Sequence, residues 1–348
     1  MTNPAGNLLR VETVGLDIAK QVFCVHAVDS DGAPVTTRNL QRKEVLAFFA
    51  SLRPCRVGTE ASGSSHHWGR ELQSLGHDVR LLHAAYVKPY VKRQKNDAAD
   101  AAAICEAVTR PSMRFVKIRS VASQSVLVQH KVREKMIKQR TQLLNALHGH
   151  LSEYGVIAPR GQAAALVLKV REGHTDIPAS VRSALLPLVA QIDSFDRVIR
   201  DADAAIVSSA NADELARRLM TIPGIGPLTA SALASIIDEP EAFNGPRSLS
   251  AFLGLTPRER SSGGTVRFGR ISKMGNRYLR KLLVMGAFSV LRTRTLHDDP
   301  LRKWATKLLA TKPYKVAAVA VANKLARIAL AVMHSDQTYL GDGLSANR

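Results

Sequence analysis

The sequence predicts an α/β domain at the front of the chain and a mostly helical half behind it, with long helices between. Three observations carry this. Short β-branched runs alternate with short helical ones up to about residue 110. Long patterns of helical period then take over, and compact helices punctuated by glycine and proline follow. The expected boundaries are 1–119 for the α/β domain, 120–215 for a helical connector and 216–348 for the last domain. A chain of 348 residues, 45% of them hydrophobic, has ample material for such cores.

Val11 to Ile18 and Gln21 to Val28 read as strands, and Asp29-Ser-Asp-Gly32 is a turn into a third, Val35 to Asn39. Lys43 to Leu52 is helical, Arg56 to Glu60 a strand, Ser65 to Leu75 a helix and Asp78 to Leu82 a strand. Asn96-Asp-Ala-Ala-Asp-Ala-Ala-Ala-Ile104 opens another helix. A meander followed by αβα, with acids ending two strands, is the plan of a ribonuclease H-like (RuvC-like) domain. From Ser120 to Leu151 one long helix is expected. Val128, Val132, Met136, Leu143 and Leu147 form its apolar stripe, and Lys131, Arg133, Lys135, Lys138 and Arg140 fill much of the remainder. A second long helix spans Ala179 to Ala210. Near Leu219, Thr221-Ile-Pro-Gly-Ile-Gly-Pro-Leu-Thr229 turns the chain into a helix from Leu228 to Ile237, a helix-hairpin-helix-like element.

Chemistry enters with four carboxylates. Asp17 ends Val14-Gly15-Leu16-Asp17, Glu60 ends Val57-Gly58-Thr59-Glu60, and Asp97 and Asp100 lie three apart on one helix face. Such a set repels itself unless cations neutralise it, and a hard ion such as Mg2+ takes carboxylate oxygens. The same residues would serve equally as a helix cap, a solvated charge and two strand-end acids; spacing alone decides nothing. The formal charge of +20, from 49 Lys and Arg against 29 Asp and Glu, points to nucleic acid as the partner. Lys131, Lys135 and Lys138 are candidate phosphate contacts, as are Gly224 and Gly226, whose turn precedes a helix N-terminus.

Cys24, Cys55 and Cys105 are odd in number and widely spaced, which predicts free thiols in a reducing cytoplasm and no disulfide or zinc framework. Met1 to Leu8 has no signal-peptide pattern. Val316 to Met333 is apolar but broken by Asn323, Lys324 and Arg327, so it reads as a buried helix and not a membrane span. His66 and His67 are adjacent on a helix and point apart, hence surface or supporting residues. Tyr278 and Trp304 read as core. Aromatics are 5% of the chain, too few for base stacking to be the main grip on a single strand.

From Gly254 to Lys281 the chain is glycine-rich and basic: Arg258, Arg260, Arg267, Arg270, Lys273, Arg277, Arg280 and Lys281 surround Ser261, Ser262 and Ser272. Guanidinium groups can clamp a phosphate, although a plain basic loop would look the same. The four acids, together with Ile222-Pro-Gly-Ile-Gly226, Phe252-Leu-Gly-Leu-Thr-Pro257 and Ile271-Ser-Lys-Met-Gly-Asn276, resemble the transposases of the 110/1111 insertion-sequence family over nearly the whole chain. The resemblance implies a DEDD tetrad of Asp17, Glu60, Asp97 and Asp100 binding Mg2+ in a RuvC-like domain. It also implies a C-terminal transposase domain whose serine joins covalently to a DNA end, by alignment Ser262, with Ser261 and Ser272 as alternatives. It further implies donor and target DNA paired by an element-encoded noncoding guide RNA, near the nucleoid. Dimers or tetramers would complete each site from two subunits.

Overall fold

The computed structural model describes residues 8–91, 96–159, 161–237, 239–335 and 337–341; most of the Met1–Leu8 segment lies outside them. The chain forms two compact units, residues 1–120 and 121–348.

The first unit is built on a six-stranded sheet: β1 (Thr13–Ile18), β2 (Val22–Val28), β3 (Pro34–Gln41), β4 (Arg56–Glu60), β5 (Asp78–Leu82) and β6 (Phe115–Val116). Its order is β3-β2-β1-β4-β5-β6. The β1–β2 and β2–β3 pairs are antiparallel, β1–β4 and β4–β5 parallel, and β5–β6 antiparallel. The Asp29 carboxylate holds the β2–β3 turn by accepting from the backbone of Asp31 and Ala33 at 3.1 and 2.9 Å. One face of the sheet packs Leu16, Phe23, Val25 and Val57 with Val45 and Phe49 of α1 (Val45–Ala50) and Trp68 and Leu72 of α2 (Ser65–Ser74). After α3 (Ala84–Val87), α4 (Asp97–Val108) packs against β1, β2 and β4. Asn96 caps α4, its side-chain oxygen accepting from Ala99 N at 2.7 Å, and Asp97 and Asp100 suit the positive end of the helix dipole.

The second unit starts with the long helix α5 (Val121–Ser152), then α6 (Ala164–Glu172) and the equally long α7 (Ala179–Ala212), which runs beside α5. The buried face of α5 is Leu127, His130, Leu144, Leu147 and Leu151. This corrects the expected stripe in its first half: Val128 and Val132 are 56% and 44% exposed. Arg133 and Arg140 are likewise not part of a basic face, because they pair with Asp203 and Asp196 of α7. His130 is buried between Tyr278 Oη at 2.9 Å and Ser231 Oγ at 3.2 Å. Burial, then the neighbouring Arg133, pushes its pKa down to about 4, so it stays neutral.

Around the helices α8 (Glu214–Met220), α9 (Pro227–Ile236), α10 (Pro246–Phe252), α11 (Arg277–Arg292), α12 (Pro300–Leu309) and α13 (Tyr314–His334) gathers the largest apolar core. Among the described residues α13 alone is long and apolar enough to cross a membrane, but its apolar residues are largely buried in this core. Tyr278 and Trp304 pack at the edge of the core. The three cysteines are free and buried.

Candidate nucleic-acid processing site

Two glycines set the acid site. A Cβ on Gly15 would lie 2.0 Å from the Ala101 carbonyl oxygen and 2.5 Å from Cys105 N, and one on Gly58 would lie 2.8 Å from Val108 Cβ. Only bare backbone lets α4 lie this close to β1 and β4. Side chains alternate along a strand, so Asp17 and Glu60, each two residues beyond its glycine, emerge on the face that α4 covers. The parallel register pairs Leu16 with Thr59, which makes Asp17 and Glu60 neighbours one step on. The first turn of α4 brings Asp97 and Asp100 to the same end.

The convergence is electrostatic as well as topological. The Asp17 carboxyl, half-buried, is pushed up from 3.8 to about 6 by burial, then by the charges of Asp97, Asp100 and Glu60. Cys24, its cross-strand partner, is raised by burial and then by Asp17 and Asp97. Among the described residues no three His, Cys, Asp or Glu side chains stand close enough to grip an ion as they are. The acids share one electrostatic neighbourhood rather than a finished coordination shell. An all-carboxylate oxygen set still suits a hard divalent cation and no soft one, so the residues fit such an ion.

In the second unit, β7 (Pro257–Glu259) and β8 (Phe268–Ile271) form an exposed antiparallel hairpin. Its tip is a two-residue turn: Ser262 and Thr265 exchange backbone hydrogen bonds at 3.3 and 3.0 Å around Gly263 and Gly264. Both glycines have positive φ, 54° and 77°, as this turn demands. Ser262 therefore stands exposed at the tip, its hydroxyl without a hydrogen-bond partner among the described residues. The Ser261 hydroxyl instead donates to Glu259 Oε1 at 2.7 Å. Ser272 lies at the hairpin base, where its carbonyl accepts from Arg258 at 3.0 Å. Arg258, Arg260, Arg270 and Lys273 line an open cleft of about 370 Å3 on the hairpin, a natural seat for a phosphate. Arg267 and Arg277 are exposed nearby in sequence.

The base of the hairpin explains the glycine motifs. Gly254 and Gly275 sit where two segments cross: a Cβ on Gly254 would lie 2.1 Å from Met274 O, and one on Gly275 1.8 Å from Phe252 O. Arg280 staples the crossing, donating to Leu253 O at 2.8 Å and Met274 O at 3.1 Å.

Residues 14–156 match a DEDD transposase family model, and residues 216–301 match the model described as transposase IS116/IS110/IS902 family. A probable family 20 transposase of Pseudomonas aeruginosa is 42% identical over 95% of this chain and 99% of its own. The chain belongs to the IS116/IS110/IS902 transposase family. The transposase for insertion sequence element IS1111A of Coxiella burnetii is 36% identical over 94% of this chain and 91% of its own. That for IS1328 of Yersinia enterocolitica is 34% identical over 92% and 96%. As a transposase of this family the chain is a DNA-cutting and rejoining enzyme.

Within the transposase, the structure brings the four acids together and keeps the three serines on one hairpin. Lys131, Lys135 and Lys138 are exposed on α5, Lys138 beside Glu134 at 3.6 Å. Gly226 is open to solvent before α9, whereas a Cβ on Gly224 would meet Gly286 O of α11 at 2.7 Å. The missing side chain of Gly224 is thus already explained by helix packing. Sequence reasoning passed over Gly15 and Gly58 as site-building residues. The signal was present: Val-Gly-x-acid occurs twice, at 14–17 and 57–60.

Proposed function

We propose that this transposase cuts and rejoins DNA through a covalent phosphoserine at Ser262, with Asp17, Glu60, Asp97 and Asp100 holding divalent metal, Mg2+ the expected ion. The observation that supports the metal half of the reading is the convergence of Asp17, Glu60, Asp97 and Asp100 where α4 meets β1 and β4; the serine half is supported by the exposed tip turn that presents Ser262 beside a cleft of arginines. The strand order of the first five strands, 3-2-1-4-5 with β2 antiparallel to β1, supports a ribonuclease H-like (RuvC-like) domain. The α8–turn–α9 element supports a helix-hairpin-helix-like grip on phosphate at Gly226. The domain limits proposed are 1–119, 120–215 and 216–348.

Arg258, Arg260, Arg270 and Lys273 hold the scissile phosphate. The Ser262 Oγ attacks phosphorus and its proton passes to a carboxylate. As the Ser–O–P bond forms, the bond from phosphorus to one deoxyribose oxygen breaks, and that oxygen takes up a proton. Rejoining reverses this: a hydroxyl on another DNA end attacks the phosphoserine and Ser262 is released. The number of phosphate ester bonds is unchanged, so no nucleotide is consumed, consistent with the absence of a Walker motif in the sequence. Divalent metal, when bound, stabilises the negative charge that builds on the phosphate and departing oxygens. Ser261 is the second reading, because its hydroxyl already donates a hydrogen bond to a carboxylate, Glu259; Ser272 is the third. The +20 charge supports simultaneous binding of DNA and an element-encoded guide RNA, in a dimer or tetramer whose subunits complete each other's sites.

The test incubates the protein with Mg2+, RNA transcribed from the flanking noncoding DNA, and labelled donor and target DNA. After denaturation, a protein–DNA adduct should map by mass spectrometry to Ser262. Ser262→Ala should lose adduct and joining but keep binding, and Asp17→Asn should lose strand cleavage. Normal cutting without any serine adduct would establish a RuvC-like hydrolase using water instead.

A further inference from the structure

The helical unit carries an exposed surface that the site above does not use. Met285, Ser289 and Arg292 follow helical spacing on the outer side of α11. With Phe288 and Tyr314, the first residue of α13, they line an open cleft of about 420 Å3. The two rings are stacked, 5° from parallel with centroids 5.8 Å apart. Phe288 packs against the core, while Tyr314 and Met285 are 46% and 58% exposed. The pair is anchored on its inner side and leaves aromatic surface open to solvent.

The lining of the cleft contains a cation, Arg292, and no carboxylate; Asp299, the acid nearest to Tyr314 along the chain, is held by Arg302. Arg292, Lys312 and Lys315 are exposed, and no Asp or Glu occurs from residue 260 to 297 or from 300 to 335. A second copy is a poor occupant, because a two-fold contact would set these cations against themselves. A duplex is a poor one too, since its bases hide their faces in the stack. A flat ring bearing phosphates on either side meets both features: aromatic area for the base and cations for the backbone.

We propose that this cleft binds an unpaired base of single-stranded DNA, stacked on Tyr314, with Arg292 and Lys315 at the flanking phosphates. The inference rests on DNA being the substrate, and it is independent of which serine, if any, reacts. Cutting and rejoining must handle strands that have left their partners, and this cleft holds one such strand clear of re-pairing.

The full-length protein is titrated into a short single-stranded DNA carrying 2-aminopurine, reading anisotropy and base fluorescence, with the duplex of the same sequence in parallel. Wild type should quench the probe in the single strand. Tyr314→Ala should weaken single-strand binding roughly tenfold and relieve the quench, with duplex affinity unchanged. Tyr314→Phe keeps the ring and should behave as wild type, which separates stacking from any effect on folding. The readout is binding alone, so a failed nucleophile assignment leaves this result readable. Unchanged single-strand binding in Tyr314→Ala would overturn the proposal. Equal losses on single strand and duplex would overturn it as well. So would an altered oligomeric state at unchanged affinity, which would make the cleft a protein contact. Tighter binding of single-stranded RNA with the same Tyr314 dependence would replace DNA as its occupant.

Discussion

In the α/β unit the four acids sit where a helix is pressed onto a sheet, whereas the three serines ride an exposed two-stranded hairpin of the helical unit. The acids are placed by packing: Gly15 and Gly58 admit α4, and burial then raises Asp17. The serines are placed by turn chemistry at the tip and a glycine crossing at the base, with every residue from 257 to 270 exposed. Like charges in a half-buried site need rigid walls to stay together. A hairpin of arginines needs only to be presented, if its partner is the polyanion proposed above. The two regions should therefore fail in different ways.

Glycine substitutions probe the difference most strongly. Gly15→Ala forces a methyl to 2.0 Å from the Ala101 carbonyl, and the backbone must move. A loss of about 3 kcal/mol in urea unfolding is expected, at the upper end of ordinary overpacking, and strand cleavage should fall at least tenfold as the first turn of α4 shifts. Gly63→Ala, with nothing within 4 Å, should be silent. Gly263→Ala at the hairpin tip, φ 54°, should cost about 1 kcal/mol. Equal losses for Gly15→Ala and Gly263→Ala would dissolve the distinction drawn here.

Acid sharpens the comparison, because the two units respond to it with opposite sign. Asp17 titrates at about 6 when folded against 3.8 ordinarily. Its protonated form supports the fold, fully below about pH 4, and that support is lost as pH rises through 6. His130 titrates at about 4 against 6.5, so the helical unit is supported above 6.5 and loses that support as pH falls towards 4. In chelator, hydrogen exchange on β1 peptides should therefore quicken from pH 4 to 6.5, after correction for intrinsic rates. Peptides of α5 should become better protected over the same range. Asp17→Asn should flatten the first trend and leave the second. Parallel trends in both units would contradict the assignment of either group.

How much of this was legible follows from distance along the chain. Strands β1, β2, β4 and β5 and the start of α4 are written in local patterns, and the structure has them within a few residues. The acids stood out because charge at the end of an apolar run is a local signal. The phase of α5 was not legible in its first half. There the inward positions include the buried His130 and the half-buried Arg133, whose partners Tyr278, Ser231 and Asp203 lie 70 to 148 residues away, so a count of apolar residues slides to Val128 and Val132. The hairpin pairing was hidden too: Pro-Arg-Glu and Phe-Gly-Arg-Ile have no period-two apolar face. Its motif glycines showed themselves as a signature, but their reason, the crossing of 252–254 with 273–275, exists only in three dimensions.

The α5 helix carries both kinds of cation side by side. Arg133 and Arg140 are seated against Asp203 and Asp196, as charges are in a packed interior. Lys131 and Lys135 are exposed and make no ion pair among the described residues, as on the hairpin. Lys138 is intermediate, shared with Glu134. If exposure without a carboxylate partner is what frees a cation for phosphate, Lys131→Gln with Lys135→Gln should flatten the salt dependence of duplex DNA binding by nearly two units of slope, about 0.9 per contact. Adding Lys138→Gln should contribute less than a full step. Arg133→Gln should lower the unfolding free energy by about 1–3 kcal/mol while leaving the slope alone, because its charge was never offered to DNA. A slope that changes with Arg133 and not with Lys131 and Lys135 would mean that the packed face, opened on binding, is the one that meets nucleic acid.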